Sequence, residues 1–204
     1  MDFDSIINNP ITLTAYIIST IGYTLFAIAS GLKKKNHLLI AQSTANCLCA
    51  VAEGLNGLWS GLVQDAVNFI RNIFVLKNWM NKILAIVFII VGTGVGIVVF
   101  IYDFENAKWW GLLPVFATAQ YSIIILIPRV KVPVIKVSLL ISSTCWAVYG
   151  FGMRFYPTMI FNIISFILAL VTLILYYINK KKIANENTLL QEKEMKIEKE
   201  ATEM

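Results

Sequence analysis

Apolar residues occupy most of this chain in long blocks, and short polar segments separate the blocks. Each block has about the 20 residues that a helix needs to cross the hydrocarbon core of a bilayer. The blocks are continuous and do not alternate with a period of two, which favours helices over the strands of a membrane barrel. We predict seven transmembrane helices, at residues 11–31, 38–57, 60–77, 83–101, 109–127, 134–152 and 157–178.

The least marked boundary lies near Ser60, because residues 38–77 also fit one long helix. Asn56 and Gly57 are typical turn residues, and Trp59 is the kind of aromatic residue that anchors a helix end at a membrane interface. We therefore predict two helices joined by a turn in this segment.

The composition excludes an ordinary soluble domain. Of the 204 residues, 58% are apolar or aromatic and 14% are charged, and the mean hydropathy is +0.72. Soluble domains carry about 25% charged residues. The net charge of +5 is confined to short clusters between apolar blocks, so we expect membrane lipid, and no nucleic acid, as a partner.

The charged residues predict the orientation of the chain. Eleven of the seventeen basic residues lie in alternate connections or follow the last helix: Lys33, Lys34, Lys35, Lys77, Lys82, Arg129, Lys131, Lys136, Lys180, Lys181 and Lys182. The other side carries only Lys108 and Arg154, with the acids Asp2, Asp4, Asp103 and Glu105. The positive-inside rule then places the amino terminus outside and the carboxyl terminus in the cytoplasm.

An internal repeat is suggested by two segments, CAVAEGL at 49–55 and CWAVYGF at 145–151. Each leads into a helix with one central asparagine, Asn68 or Asn162. Helices one to three and five to seven would also run in the same directions, since one helix separates the two triplets. We therefore predict an all-α polytopic membrane protein with two parallel three-helix repeats joined by a linker helix, in a 3+1+3 order.

This organisation divides the chain into five segments. They are an extracellular amino terminus at 1–10, a first repeat at 11–78, a linker helix with its loops at 79–108, a second repeat at 109–178 and a charged cytoplasmic tail at 179–204. The tail is rich in Glu and Lys, so we expect it to be frayed or weakly helical, with a partner-binding helix as the alternative.

The third helix contains the densest set of polar residues. Gln64, Asn68 and Arg71 share one face at i, i+4 and i+7, and Asp65 and Asn72 flank it. Polar side chains in membrane helices usually face a protein interior or a cavity. They would contact a solute, or form hydrogen bonds between helices; Asn162 in the matching helix favours the first. Arg71 has the further alternative of extending to the cytoplasmic surface.

Other candidates have a functional and a packing interpretation. Trp146 and Tyr149 would form a stacking wall for a sugar ring, or pack between helices. Pro114 would kink the fifth helix and act in gating, or serve only in packing. Glu53 and Asp65 are expected near the outer surface, where water reaches them, and a proton-coupling role is a minor alternative.

Nothing in the sequence predicts catalysis or a bound cofactor. No nucleophile, base and orienting group have a recognisable spacing, and the only histidine, His37, lies in a predicted loop. We therefore expect that the protein is not an enzyme, and that it holds neither a metal nor a cofactor.

Four segments resemble the bacterial YgjV-type inner membrane proteins across residues 13–178. They are QSTANCLCAVAEGL, VNFIRNIFVLK, LLPVFATAQ and STCW. The stretch from Trp146 to Tyr176, with its W, YG, central N and closing LILY, resembles the sixth and seventh helices of the SWEET sugar transporters, which belong to the MtN3-like, PQ-loop group. The YgjV resemblance implies a multi-pass protein of the plasma (inner) membrane.

The SWEET resemblance implies a facilitative transporter of a small polar solute, for which a sugar is one candidate, working by alternating access. It implies that Asn68 and Asn162 face the substrate and that Trp146 stacks on it. The position of a second stacking tryptophan falls near Ala50, and the chain has no PQ dipeptide. The alternative is a non-transporting scaffold or regulatory protein. The sequence leaves open whether copies form a homo-oligomer.

Overall fold

The backbone folds into long helices. The computed structural model describes residues 9–127 and 130–202, with side chains described at 9–127, 130–183, 185 and 186. Seven long helices occur within the described residues: α1 Pro10–Gly31, α2 Lys35–Leu55, α3 Trp59–Leu76, α4 Lys82–Tyr102, α5 Leu112–Leu126, α6 Val132–Gly152 and α7 Tyr156–Thr202. The described part contains no strand. The predicted all-α class is therefore confirmed, and so is the predicted break near Ser60, which falls at residues 56–58.

Among the described residues, six helical segments are long and apolar enough to cross a membrane, and one of them, Phe104–Leu126, joins α5 to the residues before it. The exception is α3, whose 18 residues include Gln64, Asp65, Asn68, Arg71 and Asn72. These polar residues lower its hydropathy, yet all five side chains are buried. A seventh crossing at α3 thus remains a prediction.

Local signals account for several helix ends. The Asn9 side chain accepts hydrogen bonds from the backbone N–H groups of Ile11 and Thr12, at 3.0 and 3.3 Å, which caps α1 at a proline. Asn81 caps α4 in the same way, through the N–H of Leu84 at 2.7 Å. Between α2 and α3 the backbone turns at Gly57, whose φ of +68° suits a residue without a side chain.

The connection from α4 to α5 differs from the prediction. A short helix at Phe104–Ala107 and a 3₁₀ turn at Lys108–Gly111 precede α5, so the α-helix begins at Leu112 rather than at residue 109. Pro114 consequently lies in the first turn of α5, where backbone N–H groups need no acceptor from the α-helix itself. Pro114 therefore removes no mid-helix hydrogen bond, and a kink or gating role for this residue stays a prediction.

Six helices form a ring. Following contacts around it, α1 packs on α2, α2 on α3, α3 on α5, α5 on α6, α6 on α7, and α7 on α1. We call these six the ring helices. Helix α4 packs outside the ring against α3 and α5. Its buried residues are Gly92 and Gly96, and added side chains there would meet Val67, or Gln64 and Val115.

The two ends of the ring have different chemistry. At the lysine-rich end, which includes residues 31–35 and 131–136, the Lys35 Nζ donates to the carbonyl of Ile125 at 3.2 Å, and the Lys136 Nζ donates to that of Ser30. At the opposite end the Tyr16 hydroxyl donates to the carbonyl of Arg154 at 3.3 Å. At each end, these hydrogen bonds therefore join elements that are distant in sequence.

The tail is more helical than expected. Helix α7 continues without interruption from Tyr156 to Thr202, whereas its sequence predicts a frayed or weakly helical segment. Residues 179–202 contain neither glycine nor proline and are rich in Lys and Glu, which favour helix. Lys182 also pairs with Glu186 at 3.9 Å, a spacing that adds modest support on an exposed helix.

Candidate functional site

Buried polar side chains recur along the ring helices at the spacing of one helix face. On α2 they include Gln42, Asn46 and Glu53; on α3, Asp65, Asn68 and Asn72; and on α7, Thr158, Asn162 and Ser165. Helix α4 buries only two glycines. The polar faces thus belong to the ring and point towards its interior.

These faces enclose a central cavity. Every ring helix contributes to its lining, which consists of Tyr23, Phe26, Gln42, Asn46, Asp65, Asn68, Arg71, Ala117, Thr118, Tyr121, Ser142, Trp146 and Asn162. Its volume is about 20 Å³. One water molecule needs roughly 10–15 Å³ of such space, so the cavity is only slightly larger than a single water.

Three of the predicted site residues meet here. Asn68, Asn162 and Trp146 all line the central cavity, although they come from α3, α7 and α6. The Asn68 amide nitrogen donates to Thr118 Oγ1 at 3.2 Å, and its oxygen has no hydrogen-bond partner within the described residues. The Asn162 amide nitrogen donates to the carbonyl of Thr158 at 2.8 Å. The two asparagines therefore share a cavity without sharing the same contacts.

Two other predicted site residues lie beside the cavity. Gln64 is fully buried against Gly96 of α4, and its amide atoms have no hydrogen-bond partner in the part of the chain that is described. Tyr149 is also fully buried, with its ring edge-on to Trp146 at a centroid distance of 5.7 Å. Neither is among the cavity-lining residues, so direct solute contact by them stays a prediction.

Arg71 is enclosed inside the ring. It is 1% exposed and does not extend to the bundle surface, which was one of the alternatives. Its Nη1 donates to Ser122 Oγ at 2.7 Å, and its Nε and Nη2 donate to Asn72 Oδ1 at 3.1 and 2.8 Å. The guanidinium also lies 4.9 Å from the centre of the Tyr121 ring. Hydrogen bonds and a cation–π contact thus hold this cation against the cavity.

Two carboxyl groups are buried instead of lying near water. Glu53 is 0% exposed and Asp65 is 5% exposed, which corrects the expectation from the sequence. The Tyr23 hydroxyl donates to Glu53 Oε1 at 2.8 Å. Gly61 explains the burial, because a Cβ there would lie 2.6 Å from the Glu53 carboxyl carbon. The missing side chain lets α3 cover Glu53.

The comparison with protein families covers most of the chain. The model of the Imp-YgjV family, described as bacterial inner membrane protein, matches residues 13–180. The chain belongs to the Imp-YgjV family. With its several apolar helices, this Imp-YgjV protein is a multi-pass protein of the bacterial inner membrane. No curated protein and no solved structure matches the chain. The predicted YgjV relationship is confirmed, and the relationship to SWEET transporters stays a prediction.

Several residues that line the central cavity of this Imp-YgjV protein were not predicted from the sequence. Gln42 and Asn46 line the cavity from α2, and Thr118, Tyr121 and Ser142 line it from α5 and α6. The Tyr121 hydroxyl donates to Gln42 Oε1 at 2.9 Å. A usable signal existed, because Gln42, Asn46 and Glu53 lie at i, i+4 and i+11 and so share one helix face, as the polar residues of α3 do.

Proposed function

We propose that this Imp-YgjV protein is a facilitative transporter of a small polar solute. The observation that carries the proposal is the central cavity, into which all six ring helices place polar or aromatic side chains. Within the described residues, Gln42 Nε2, Asp65 Oδ2 and Asn68 Oδ1 have no hydrogen-bond partner. Each such buried atom costs about 1–3 kcal/mol. A solute with hydroxyl, amine or carboxylate groups would supply the partners.

The order of helices in the ring is also compatible with two parallel repeats. If α1, α2 and α3 trade places with α5, α6 and α7, respectively, every ring contact maps onto another ring contact. The α3–α5 contact, for example, becomes the α7–α1 contact. A 3+1+3 arrangement with α4 as the linker would produce this pattern. The cavity then lies between the triplets, which is where parallel-repeat transporters bind substrate. With the amino terminus outside, rocking of one triplet against the other would give alternating access.

The size of the cavity defines what transport would require. Sites for small molecules usually have volumes of roughly 300–1,000 Å³, against about 20 Å³ here. The triplets would therefore have to separate at one end to admit a solute. Asp65 and Arg71 line the cavity from α3 with opposite charge types, so a zwitterion such as glycine is a candidate alongside a neutral sugar such as glucose.

Uptake by reconstituted vesicles tests this proposal. We expect vesicles with the wild-type protein to take up labelled glucose or labelled glycine faster than empty vesicles. Asn68→Ala and Asn162→Ala should abolish that uptake without lowering the amount of folded protein. Asn36→Ala, at the exposed start of α2, is the matched control and should transport normally. Normal uptake by both cavity variants would contradict a shared site.

A scaffold or regulatory role is the second candidate. The narrowness of the cavity, about 20 Å³, and the helical tail that extends to Thr202 favour it. In this case the tail would bind a partner protein, and no solute would cross. Deletion of residues 184–204 would then abolish the phenotype that depends on the protein in cells, whereas Asn68→Ala would leave that phenotype unchanged. If the protein is a transporter, Asn68→Ala would abolish the phenotype and deletion of the tail would leave it unchanged.

A further inference from the structure

A second cavity opens at the lysine-rich end of the ring and is separate from the central cavity. Its volume is about 460 Å³. Lys33 lines it from the segment after α1, Lys136 from the first turns of α6, and Lys180 from α7. Helix α7 also supplies apolar and aromatic walls through Leu173, Tyr176 and Ile183. This site therefore combines three cations with a hydrocarbon-like surface.

The charge of this cavity is of one sign. Within the described part of the chain, no acidic residue lines it. Lys136 is 1% exposed, and its Nζ is oriented by donation to the carbonyl of Ser30, which leaves two further N–H donors. Lys33 and Lys180 are exposed at the rim. Three ammonium groups without an acidic neighbour in the lining suit an anion, and phosphate can accept hydrogen bonds from all of them.

The walls suit a ligand that also has an apolar part. Leu173 and Tyr176 lie within the span Tyr156–Ile183, and the exposed fractions of Tyr176 and Ile183 are 41% and 59%. These side chains lie in the last part of that span, next to the lysine-rich end of the ring. A free phosphate ion would use only the lysines. An anionic lipid would use the lysines and the walls together, and basic pockets between helices on the cytoplasmic side bind such headgroups.

We propose that this cavity binds one anionic phospholipid of the surrounding bilayer. The phosphate lies between Lys33, Lys136 and Lys180, and an acyl chain follows the apolar wall of α7. The lipid then contacts the end of α1, the start of α6 and the middle of α7, so it bridges the contact between α1 and α7. The proposal does not depend on transport, because it concerns binding at the edge of the ring.

Thermal unfolding of the purified full chain in detergent tests the site. We expect phosphatidylglycerol to raise the unfolding midpoint, and phosphatidylcholine and inorganic phosphate to have no comparable effect, since ligands that bind the folded state stabilise it. The double variant K33Q/K180Q should need roughly 30-fold more phosphatidylglycerol for the same shift, because each lysine near an anionic lipid contributes about a fivefold factor. Both lysines are exposed, so this variant should fold.

The matched control is K34Q/K181Q, which removes the same charge from exposed neighbours outside the cavity. The Lys34 side chain makes no capping hydrogen bond. We expect this control to respond to phosphatidylglycerol like the wild type. Equal shifts with phosphatidylcholine, an unchanged response of K33Q/K180Q, or an equal loss in the control would overturn the proposal. A shift by inorganic phosphate as large as that by phosphatidylglycerol would overturn it in favour of a free-anion site.

Discussion

Glu53 illustrates how single residues are accommodated inside this ring. Its carboxyl group has no exposed surface, and its hydrogen bond comes from the hydroxyl of Tyr23 at 2.8 Å. Arg71 is likewise held by Asn72 and Ser122. Among the described residues the only ion pair is Lys182–Glu186, on the exposed part of α7. Neutral donors and acceptors, rather than opposite charges, therefore contact Glu53 and Arg71.

Tyr23→Phe tests how much the hydrogen bond to Glu53 stabilises the protein. The change removes the donor to Glu53 and keeps the aromatic ring, so it should lower the free energy of unfolding by about 1–3 kcal/mol. Denaturant unfolding of the purified protein in detergent measures this loss. Tyr177→Phe is the control, because Tyr177 is 56% exposed and should be within about 0.5 kcal/mol of the wild type. Equal stability of the two variants would show that the Tyr23 hydroxyl contributes nothing.

At the scale of elements, α4 differs from the ring helices. Among the candidate spans of the described residues, it is the most apolar and the least buried. Close contact with α3 and α5 depends on Gly92 and Gly96, where a side chain would meet Val67 or Gln64. Gly94 lies on the same helix and has no atom within 4 Å of a potential Cβ. The glycines of α4 therefore have different roles.

We expect Gly96→Leu to separate α4 from the ring and to destabilise the protein by about 1–3 kcal/mol, the usual cost of overpacking. Gly94→Leu is the matched control, since it makes the same change in helix propensity and projects into open space. Thermal unfolding of both variants in one detergent measures the difference. A Gly96→Leu variant as stable as Gly94→Leu would indicate that α4 packs less closely than these contacts imply.

At the scale of the whole molecule, the orientation in the membrane has a direct test. In a cysteine-free background, in which Cys47, Cys49 and Cys145 are replaced, Asn106→Cys and Lys181→Cys mark the two ends of the ring. We expect a membrane-impermeant maleimide to label residue 106 in cells with a permeabilised outer membrane, and residue 181 only after lysis. The reverse labelling pattern would contradict the orientation derived from the positive-inside rule.

The sequence by itself determined the helices, since length and hydropathy are local properties of a segment. The predicted starts and ends from α1 to α6 lie within about three residues of the observed ones, and the family follows from residues 13–180. The polar face of α3 could also be predicted from the sequence, because it depends only on the helical period. The helical state of the tail was underestimated, although its composition favours helix.

The tertiary structure decided which polar residues meet. Asn68, Asn162 and Trp146 share a cavity, whereas Gln64 faces Gly96 and Tyr149 packs on Trp146. Periodicity assigns a side chain to a face of its own helix, but the partner of that face depends on the rotation and packing of helices distant in sequence. The burial of Glu53 has the same origin, because it required Gly61 of the next helix to lie directly against its carboxyl group.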